Sequence, residues 1–545
     1  MKHLSYIPVI LCVLCYGTLA HARTHEVKVS SVSGSLYTQI YNIGKQMKPT
    51  DTLVLNFDKK RTFVLDGGLD LYCNVIMKGA DAQKTIVEIQ DNPGKMRDDS
   101  FFGFKGTKQT PISVDVHNIT VRLANHNGIW WKGVKQADQF RRYLFKFYHA
   151  KSVKFNNVHT LLSNAVITNL DMRSCCNIIV TGCTFQNYNN NAAGGCLWLR
   201  GATHDVNITG NKFYKYGNDE VLAIFGTENT SGEIVKRDIN ITGNEFYYGW
   251  SNRSKNELFN DLLCTVITDP TPGARYVLEN LHIDGNRFVI DDPCKSLMAY
   301  LIQTATTTSN VSFSNNEIIN KNGCSGSGFQ MNDVSLRDIH SGNQVVIALD
   351  GNNIREQCQI THDDGSCSHA FLMVKNCAAT MQNNVFDGSG NTMFIYGYEP
   401  GGSVTLIGNN CTGLEKLASI SGGDNIGEFS LIASDNTFQG DTRIFSRNLK
   451  KCEFRFSDNT FNATNYHFFL QEMAQEGDVT FTGNVVNMDT RNGGVIYASY
   501  DGKQHRFNQV NVSGNTFNGL GDSSRVKDPL KNARRSRISN NVYYH

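Results

Sequence analysis

A short motif recurs twelve times along the chain, and its central residue is always asparagine. In each copy a β-rich triplet is followed by a small residue, the asparagine, any residue, and usually an aromatic or aliphatic side chain, as in NITGNKF and FSDNTF. Successive copies are 23 to 42 residues apart, and a short base period lengthened by insertions is typical of a solenoid. The motif asparagines are Asn211, Asn244, Asn286, Asn316, Asn352, Asn384, Asn409, Asn436, Asn459, Asn484, Asn515 and Asn541.

The residues around each asparagine predict how one coil is built. Val206, Ile208 and Phe213 alternate with polar residues, which puts one face of a short strand inward, and the intervening Gly-Asn turns the chain without steric cost. One coil cannot bury that face alone, so neighbouring coils must stack. Stacked asparagines can then hydrogen-bond to one another and to backbone groups. These features favour an all-β, single-stranded right-handed parallel β-helix.

Two other repeat architectures fit the sequence less well. Leucine-rich repeats need Leu at fixed offsets and a helix-length convex segment, and a β-propeller needs a longer and more regular period. Neither pattern is present in the repeats of this chain.

Two segments near the N-terminus depart from the repeat. In residues 34–48, Leu36, Ile40, Ile43 and Met47 have helical spacing, which predicts an amphipathic helix that caps the open end of the solenoid. The stretch from about 91 to 148 is irregular, and we expect it to be a long excursion from the first coils.

With these repeats, the chain from about residue 50 to its end resembles the pectin-lyase-like superfamily of right-handed parallel β-helix proteins. The resemblance implies the fold and a substrate groove that runs across strands and loops. It does not imply one reaction, because that superfamily contains polysaccharide lyases, glycoside hydrolases, epimerases, esterases and non-catalytic adhesins.

The first 22 residues predict export from the cell. Lys2, an apolar run from 4 to 20 and the small residues around His21 are typical of a secretory signal peptide cleaved after Ala22. We therefore expect residues 23–545 to form a single β-helix domain without a membrane span, secreted or periplasmic and monomeric.

Cysteine count and charge narrow the class further. Of 15 cysteines, 13 lie beyond the predicted signal peptide, and an odd number excludes complete disulfide pairing in a monomer. Cys183, Cys196, Cys264 and Cys411 have the positions of small buried hydrophobes. The net charge of +2 provides no global field for a polyanion. Nucleic acid is not an expected partner of an exported, nearly neutral chain.

A first candidate site lies in the strand sequence LWLR. Inward Leu197 and Leu199 would leave Trp198 and Arg200 outward, and an aromatic face beside a guanidinium suits a sugar that carries a carboxylate. An edge Trp beside an Arg in an ordinary ion pair has the same pattern. Arg173, in the preceding coil with Asn169 and Asp171, would extend the patch.

A second candidate segment follows one coil later. It concentrates a cation, a phenol, an amide and two carboxylates in Lys215, Tyr216, Asn218, Asp219 and Glu220. Oxygen ligands at this density could hold Ca²⁺ through Asp219 and Glu220. An ordinary Asn-Asp-Glu turn is the alternative interpretation.

These residues favour β-elimination on an acidic polysaccharide that contains uronic acid. Arg200 would neutralise the C6 carboxylate, while Lys215 or Tyr216 would transfer the proton. Arg173, Trp198 and Asn218 would bind substrate, and Tyr300, further along, could stack on a sugar. By resemblance to secreted β-helix lyases we place chondroitin sulfate or hyaluronan first, followed by alginate and pectate.

Other functions on the same fold remain open. The Asn-Gly-Glu motif of related alginate and chondroitin lyases, the Tyr-Gly-x-Asp-Pro-His motif of mannuronan epimerases, and the Asn-Thr-Asp and Gly-His-Gly elements of galacturonases are all missing from the sequence. A glycoside hydrolase, a uronate epimerase and a non-catalytic glycan-binding solenoid are therefore the alternatives to a lyase.

Overall fold

The computed structural model describes most of the chain after the predicted signal peptide. The described residues are 22–90, 100–123, 143–163, 168–188, 195–216, 221–225, 233–249, 263–264, 275–290, 307–321, 329–332, 345–356, 370–375, 377–398, 402–421, 427–447, 449–463, 469–471, 476–488, 497–499, 507–519 and 533–545.

The described chain contains one α-helix, one short 3-10 helix and 45 strands. The helix is α1 (Leu36–Gly44), and the 3-10 helix is Val29–Ser31. The first strands are β1 (Thr24–Lys28), β2 (Thr52–Phe57), β3 (Thr62–Leu65), β4 (Leu69–Leu71), β5 (Asn74–Gly79), β6 (Ile86–Ile89), β7 (Ser100–Lys105), β8 (Ile112–Leu123), β9 (Tyr143–Tyr148), β10 (Ala150–Ser163), β11 (Thr168–Arg173), β12 (Cys176–Thr181), β13 (Thr184–Tyr188), β14 (Leu197–Arg200) and β15 (Thr203–Thr209).

The middle strands are β16 (Lys212–Tyr216), β17 (Leu222–Phe225), β18 (Glu233–Thr242), β19 (Glu245–Gly249), β20 (Leu263–Cys264), β21 (Arg275–Asp284), β22 (Arg287–Ile290), β23 (Thr307–Ser314), β24 (Glu317–Asn320), β25 (Phe329–Asn332), β26 (Val345–Asp350), β27 (Asn353–Glu356), β28 (Ala370–Lys375), β29 (Cys377–Gln382) and β30 (Val385–Tyr398). The last are β31 (Gly402–Ile407), β32 (Asn410–Ser421), β33 (Gly427–Ser434), β34 (Thr437–Gly440), β35 (Ile444–Arg447), β36 (Leu449–Ser457), β37 (Thr460–Ala463), β38 (Phe469–Gln471), β39 (Glu476–Thr482), β40 (Val485–Met488), β41 (Tyr497–Ser499), β42 (Phe507–Ser513), β43 (Thr516–Asn518), β44 (Arg535–Ser539) and β45 (Val542–Tyr544).

Each strand pairs in parallel with the equivalent strand of the next coil, so the chain forms the all-β parallel β-helix that the repeats predict. One coil runs through β12, the turn at Cys183, β13 and β14, and the next begins with β15. Strand β12 pairs with β15, β13 with β16, and β14 with β17. Most strands join one 36-stranded sheet, seven form a separate sheet, and β38 and β41 form a third.

The inward residues form continuous columns through the solenoid. Ile178, Val206 and Ile239 occupy one register position in successive coils and are fully buried. Phe185, Phe213, Phe246 and Phe288 form another column, with ring centroids 4.8 to 5.1 Å apart and nearly parallel planes. Stacking identical side chains at the strand spacing fills the interior without voids.

The motif asparagines form one hydrogen-bonded ladder along the solenoid. Asn409 shows the pattern: its Nδ2 donates to Asn436 Oδ1 (2.9 Å) and to the Met381 carbonyl (2.9 Å). Its Oδ1 accepts from the backbone N–H and the Nδ2 of Asn384 (3.0 and 2.9 Å). Both donors and both lone pairs of the buried amide are therefore used. The same pattern continues to Asn541 at the C-terminal end.

The residue before each ladder asparagine explains why the motif needs a small residue there. At all twelve positions this residue has a φ between +53° and +69°. Glycine adopts this left-handed conformation freely, and Asn and Asp are the other residues that tolerate it. Seven of the twelve are Gly, and the rest, such as Asn315 and Asp435, are Asn or Asp.

Cys183 occupies the asparagine position one coil before Asn211, and the amide ladder stops there. The Cys183 backbone N–H donates to Asn211 Oδ1 (2.9 Å), while its Sγ accepts from the Val158 N–H at 3.4 Å. A thiol sulfur accepts only weakly and cannot extend an amide chain. The continuous ladder therefore runs only from Asn211 onward.

Helix α1 forms where helical spacing predicts it, although it ends at Gly44 rather than at 48. Ser35 caps its N-terminus by accepting a hydrogen bond from the Thr38 N–H (3.1 Å). Leu36 and Ile40 are buried in the core. Its function as a cap of the solenoid stays a prediction. No helix among the described residues is long and apolar enough to cross a membrane.

The expectation of a long excursion over 91–148 was wrong for its described part. Residues 100–123 and 143–148 form β7, β8 and β9, which are regular strands of the first coils. Strands β7 and β9 are buried on both faces, with sequences SFFGFK and YLFKFY. Strands that are buried on both faces have apolar sequences without alternation. The alternating pattern that marks the later coils is therefore absent from β7 and β9.

The described cysteines behave as small buried hydrophobes. All eight are free thiols, and seven are buried. Burial raises the pKa of Cys73 to about 11 and the pKa of Cys183 and Cys196 to about 12, so these thiols stay protonated and unreactive at neutral pH. The prediction is confirmed for Cys183, Cys196 and Cys411, while the Cys264 side chain lies outside the described part.

The ladder predicts a position-dependent cost of losing an asparagine. Asn409→Ala removes the acceptor for two buried donors of Asn384, so we expect a loss of about 3 kcal/mol or more in the free energy of unfolding. Asn541→Ala, at the open end where water can replace the amide, should cost about 1 kcal/mol. Urea denaturation of both variants measures the difference, and equal losses would contradict the ladder's role.

Candidate functional site

The seven-stranded sheet carries the candidate site on its outer surface. Its strands, one per coil, are β4, β7, β9, β11, β14, β17 and β20. Near the carboxyl ends of four of these strands, one register position forms what we name the terminal row: Lys105, Tyr148, Arg173 and Arg200. Two residues earlier lies the second row: Asp70, Gly103, Lys146, Asp171 and Trp198.

Strand β14 has the alternation that the sequence predicts. Leu197 and Leu199 are fully buried in the core, whereas Trp198 and Arg200 lie on the outer face and are partly exposed. Thr203 Oγ1 donates to the Arg200 carbonyl (3.1 Å), which fixes the backbone just after the site.

A buried carboxylate joins two guanidinium groups at the centre of the site. Asp171 is 0% exposed, and its Oδ2 accepts a hydrogen bond from Arg173 Nε at 2.8 Å. Its Oδ1 lies 3.0 Å from Arg200 Nε, an ion pair without the direction of a good hydrogen bond. The Arg173 and Arg200 side chains are 24% and 19% exposed. Asp171 thus orients both cations from below, while both arginine side chains stay partly exposed.

Aromatic rings separate and cover the cations. The Arg200 Cζ lies 4.4 Å from the Trp198 ring centroid. Lys146 Nζ lies between two rings, 4.8 Å from Tyr143 and 4.9 Å from Tyr148. Cations over aromatic faces are stabilised by the ring quadrupole, and more so when they are removed from water, as Lys146 is.

Tyr143 connects the aromatic and charged parts of the site. Its hydroxyl accepts a hydrogen bond from Arg173 Nη2 at 3.0 Å. Burial raises the pKa of the Tyr143 phenol above its ordinary value and the charge of Asp171 adds to the rise, while Arg200, Arg173 and Lys146 oppose it. Tyr143 is therefore a neutral phenol at neutral pH.

Arg173 is held permanently as a cation. Burial alone would lower the pKa of Arg173, but the charge of Asp171 and the hydrogen bond that Arg173 donates to Asp171 outweigh it. The pKa of Arg173 consequently lies above its ordinary value.

The structure joins the coil before β14 to the site, whereas the predicted proximity of residues 218–220 to Trp198 and Arg200 lies outside the described residues. Arg173 pairs in register with Arg200, and Asp171 with Trp198, so the upstream residues do extend the patch. The sequence pattern did not identify Tyr143, Lys146 or Tyr148 as parts of the site. The available signal was YLFKFY, in which a lysine between aromatic residues in an apolar strand needs partners.

Lys215 does not lie where a surface catalytic residue would. Its side chain is fully buried on the same face of β16 as Phe213, and its Nζ lies 3.5 Å from Asn187 Oδ1. Asn187 in turn donates to Asn169 Oδ1 and to the Gly195 carbonyl, both at 3.0 Å. The expectation that Lys215 faces the groove was wrong, because Lys212 to Tyr216 forms a strand rather than a loop.

The remaining predicted residues give less information. Tyr216 ends strand β16, and its side chain lies outside the described part. Asn218, Asp219, Glu220 and Tyr300 lie outside the described residues altogether. Within the described ranges, no group of three or more His, Cys, Asp or Glu residues could hold a metal ion. The Ca²⁺ site at Asp219 and Glu220 stays a prediction.

Comparisons with known proteins add little to this geometry. No protein-family model matches the chain, and no curated protein does. One solved structure that matches is the PL6 family alginate lyase AlyGC, at 12% identity over 95% of this chain and 100% of that chain, with a TM-score of 0.20. A TM-score this low carries no argument, so the fold rests on the strand pairing itself.

The central ion pairs predict that Asp171 is essential for stability. Asp171→Ala leaves two partly buried guanidinium groups without their carboxylate. We expect a loss of about 3 kcal/mol in the free energy of unfolding, at the lower end of the usual cost because both cations keep contact with water.

A matched control is Glu317→Ala, which breaks the exposed pair between Arg287 Nε and Glu317 Oε2 (2.9 Å) on another face of the solenoid. This change should cost less than about 1 kcal/mol. Thermal or urea unfolding of both variants provides the measurement. Similar losses in the two variants would show that Asp171 does not hold the site together.

Proposed function

We propose that the protein is a secreted polysaccharide lyase that cleaves an acidic, uronic-acid-containing polysaccharide by β-elimination. One observation carries the proposal: two arginine side chains, fixed by one buried carboxylate, are partly exposed beside Trp198 and Tyr148 on the outer face of the seven-stranded sheet. Chondroitin sulfate or hyaluronan is the first candidate substrate, followed by alginate and pectate.

The terminal row fits the first requirement of β-elimination, which is a positive group at the C6 carboxylate. Charge neutralisation there acidifies the C5 proton and stabilises the developing enolate. Arg200 and Arg173 supply this charge, and Asp171 keeps them oriented before the substrate arrives, so little reorganisation is needed during the reaction.

Trp198 and Tyr143 support the same role in different ways. The ring of Trp198 lies against Arg200 and limits its rotamers, so it positions the cation and presents an aromatic edge to a sugar. Tyr143 is buried and neutral and holds the Arg173 guanidinium through its hydroxyl. It therefore acts as a positioning residue.

The base that removes the C5 proton comes from outside this cluster. Of the two residues that the sequence offers, Lys215 points into the core, so the proposal retains Tyr216. Asn218 remains a proposed substrate ligand, Tyr300 a proposed stacking residue, and Asp219 with Glu220 a proposed Ca²⁺ site. A requirement for Ca²⁺ would appear as loss of activity with a chelator and recovery when the ion is restored.

The direct test is a screen of uronate polymers for the ultraviolet absorbance of an unsaturated product. Wild-type protein should produce this absorbance on at least one polymer. Arg200→Ala should lower kcat/KM by about 100-fold or more, the usual effect of removing one group that stabilises developing charge. Arg287→Ala, an exposed arginine on another face, should retain full activity.

The other outcomes of this screen identify the alternatives. New reducing ends without absorbance would indicate a glycoside hydrolase, and altered uronate configuration without cleavage would indicate an epimerase. Binding without any chemistry would indicate a glycan-binding solenoid. Full activity of Arg200→Ala would mean that the catalytic groove lies elsewhere.

A further inference from the structure

We propose that Lys105 forms a second acid-binding subsite two coils away from Arg173, and that the ligand is an oligosaccharide with its acidic groups on alternate sugars. This inference rests on the proposed function and deepens it. The ligand would lie along the solenoid axis, across the strands of the seven-stranded sheet.

The strand register sets the distance between the two subsites. Lys105 pairs with Tyr148, and Tyr148 pairs with Arg173. Lys105 and Arg173 are therefore two coils apart, with the coil of Tyr148 between them. Adjacent strands are about 4.8 Å apart, which puts the two cationic strands about 10 Å apart. This distance is close to the length of a disaccharide in an extended chain.

Lys105 is held in the same way as the arginines. Its Nζ lies 3.1 Å from Asp70 Oδ2, and its side chain is 21% exposed. The Asp70 carboxylate lies over Gly103, where a Cβ atom would be only 2.3 Å from Asp70 Oδ1. The missing side chain at residue 103 thus makes room for the carboxylate that orients Lys105, as Asp171 orients Arg173 and Arg200.

An aromatic ring continues the row beyond Lys105. Tyr72 follows β4 and is 52% exposed, and Lys105 Nζ lies 5.8 Å from its ring centroid. An exposed tyrosine ring beside a fixed cation offers stacking for a sugar together with charge for its acid group. Tyr72, just beyond the end of β4, thus adds an aromatic ring next to the Lys105 end of the terminal row.

The residue between the two subsites determines which polymer fits. The ring of Tyr148 already lies against Lys146 and Arg173. It can donate a hydrogen bond to a sugar hydroxyl but provides no positive charge of its own, and the face of an aromatic ring repels an anion. A polymer with one acid per disaccharide, such as hyaluronan or unsulfated chondroitin, matches this pattern. A polymer with an acid on every sugar, such as alginate or a chondroitin whose hexosamines are sulfated, would set an anion over Tyr148.

The test measures how affinity depends on chain length. Disaccharide, tetrasaccharide and hexasaccharide of chondroitin, and alginate oligosaccharides of the same lengths, are titrated against the full protein by calorimetry, or compared by KM where cleavage occurs. Lys105→Met keeps a long unbranched side chain and removes the charge. It should weaken binding of the chondroitin hexasaccharide about tenfold and leave the disaccharide unchanged.

The control is Lys78→Met, because Lys78 forms a similar pair with Glu26 (3.2 Å) on another sheet. It should not alter binding at any length. The subsite is overturned if wild-type protein binds chondroitin but Lys105→Met changes nothing, or weakens the disaccharide as much as the hexasaccharide. Tighter binding of the alginate hexasaccharide than of the chondroitin hexasaccharide overturns the alternate spacing. Wild-type protein that binds neither of these polymers, nor hyaluronan or pectate, overturns the proposed function itself.

Discussion

The asparagine ladder is the interaction on which the described solenoid depends from Asn211 onward. Each turn leaves a backbone N–H and carbonyls in the interior, and a buried group without a partner costs about 1–3 kcal/mol. The amide is the side chain that can donate twice and accept twice at one position. Each asparagine accepts hydrogen bonds from the asparagine of the coil before it. These bonds hold neighbouring turns in register, and the strands that follow each turn stack in register as well.

The candidate site lies in the coils before Asn211 and depends on the strand register of the seven-stranded sheet. A parallel stack repeats the same position about every 4.8 Å, so residues 25 to 43 positions apart in sequence become neighbours in the terminal row. Here the columns hold charged and aromatic side chains instead of apolar packing. Carboxylates such as Asp171 lie beneath the cations and fix their direction, an arrangement that costs stability if any partner is lost but keeps the positive charge preorganised.

Parts of this site were predictable, and the reasons differ between residues. The outward position of Trp198 and Arg200 follows from the alternation in a half-buried strand, and the proximity of Arg173 follows from the coil period. Tyr143 and Lys146 lie in a strand buried on both faces, which has no alternation to interpret. Lys215 was misplaced because its strand ends in a polar sequence that looks like a loop.

The sequence by itself determined the architecture, because twelve asparagines at compatible spacing, each after a residue that tolerates a left-handed backbone, can be satisfied together only by stacking coils. It also determined which β14 side chains face outward. The tertiary structure alone decided that Asp171 serves two arginines and that Tyr143 and Lys146 belong to their site. Those contacts join residues of different coils. Which residues pair across coils depends on the lengths of the insertions between them, and no local sequence pattern gives that pairing.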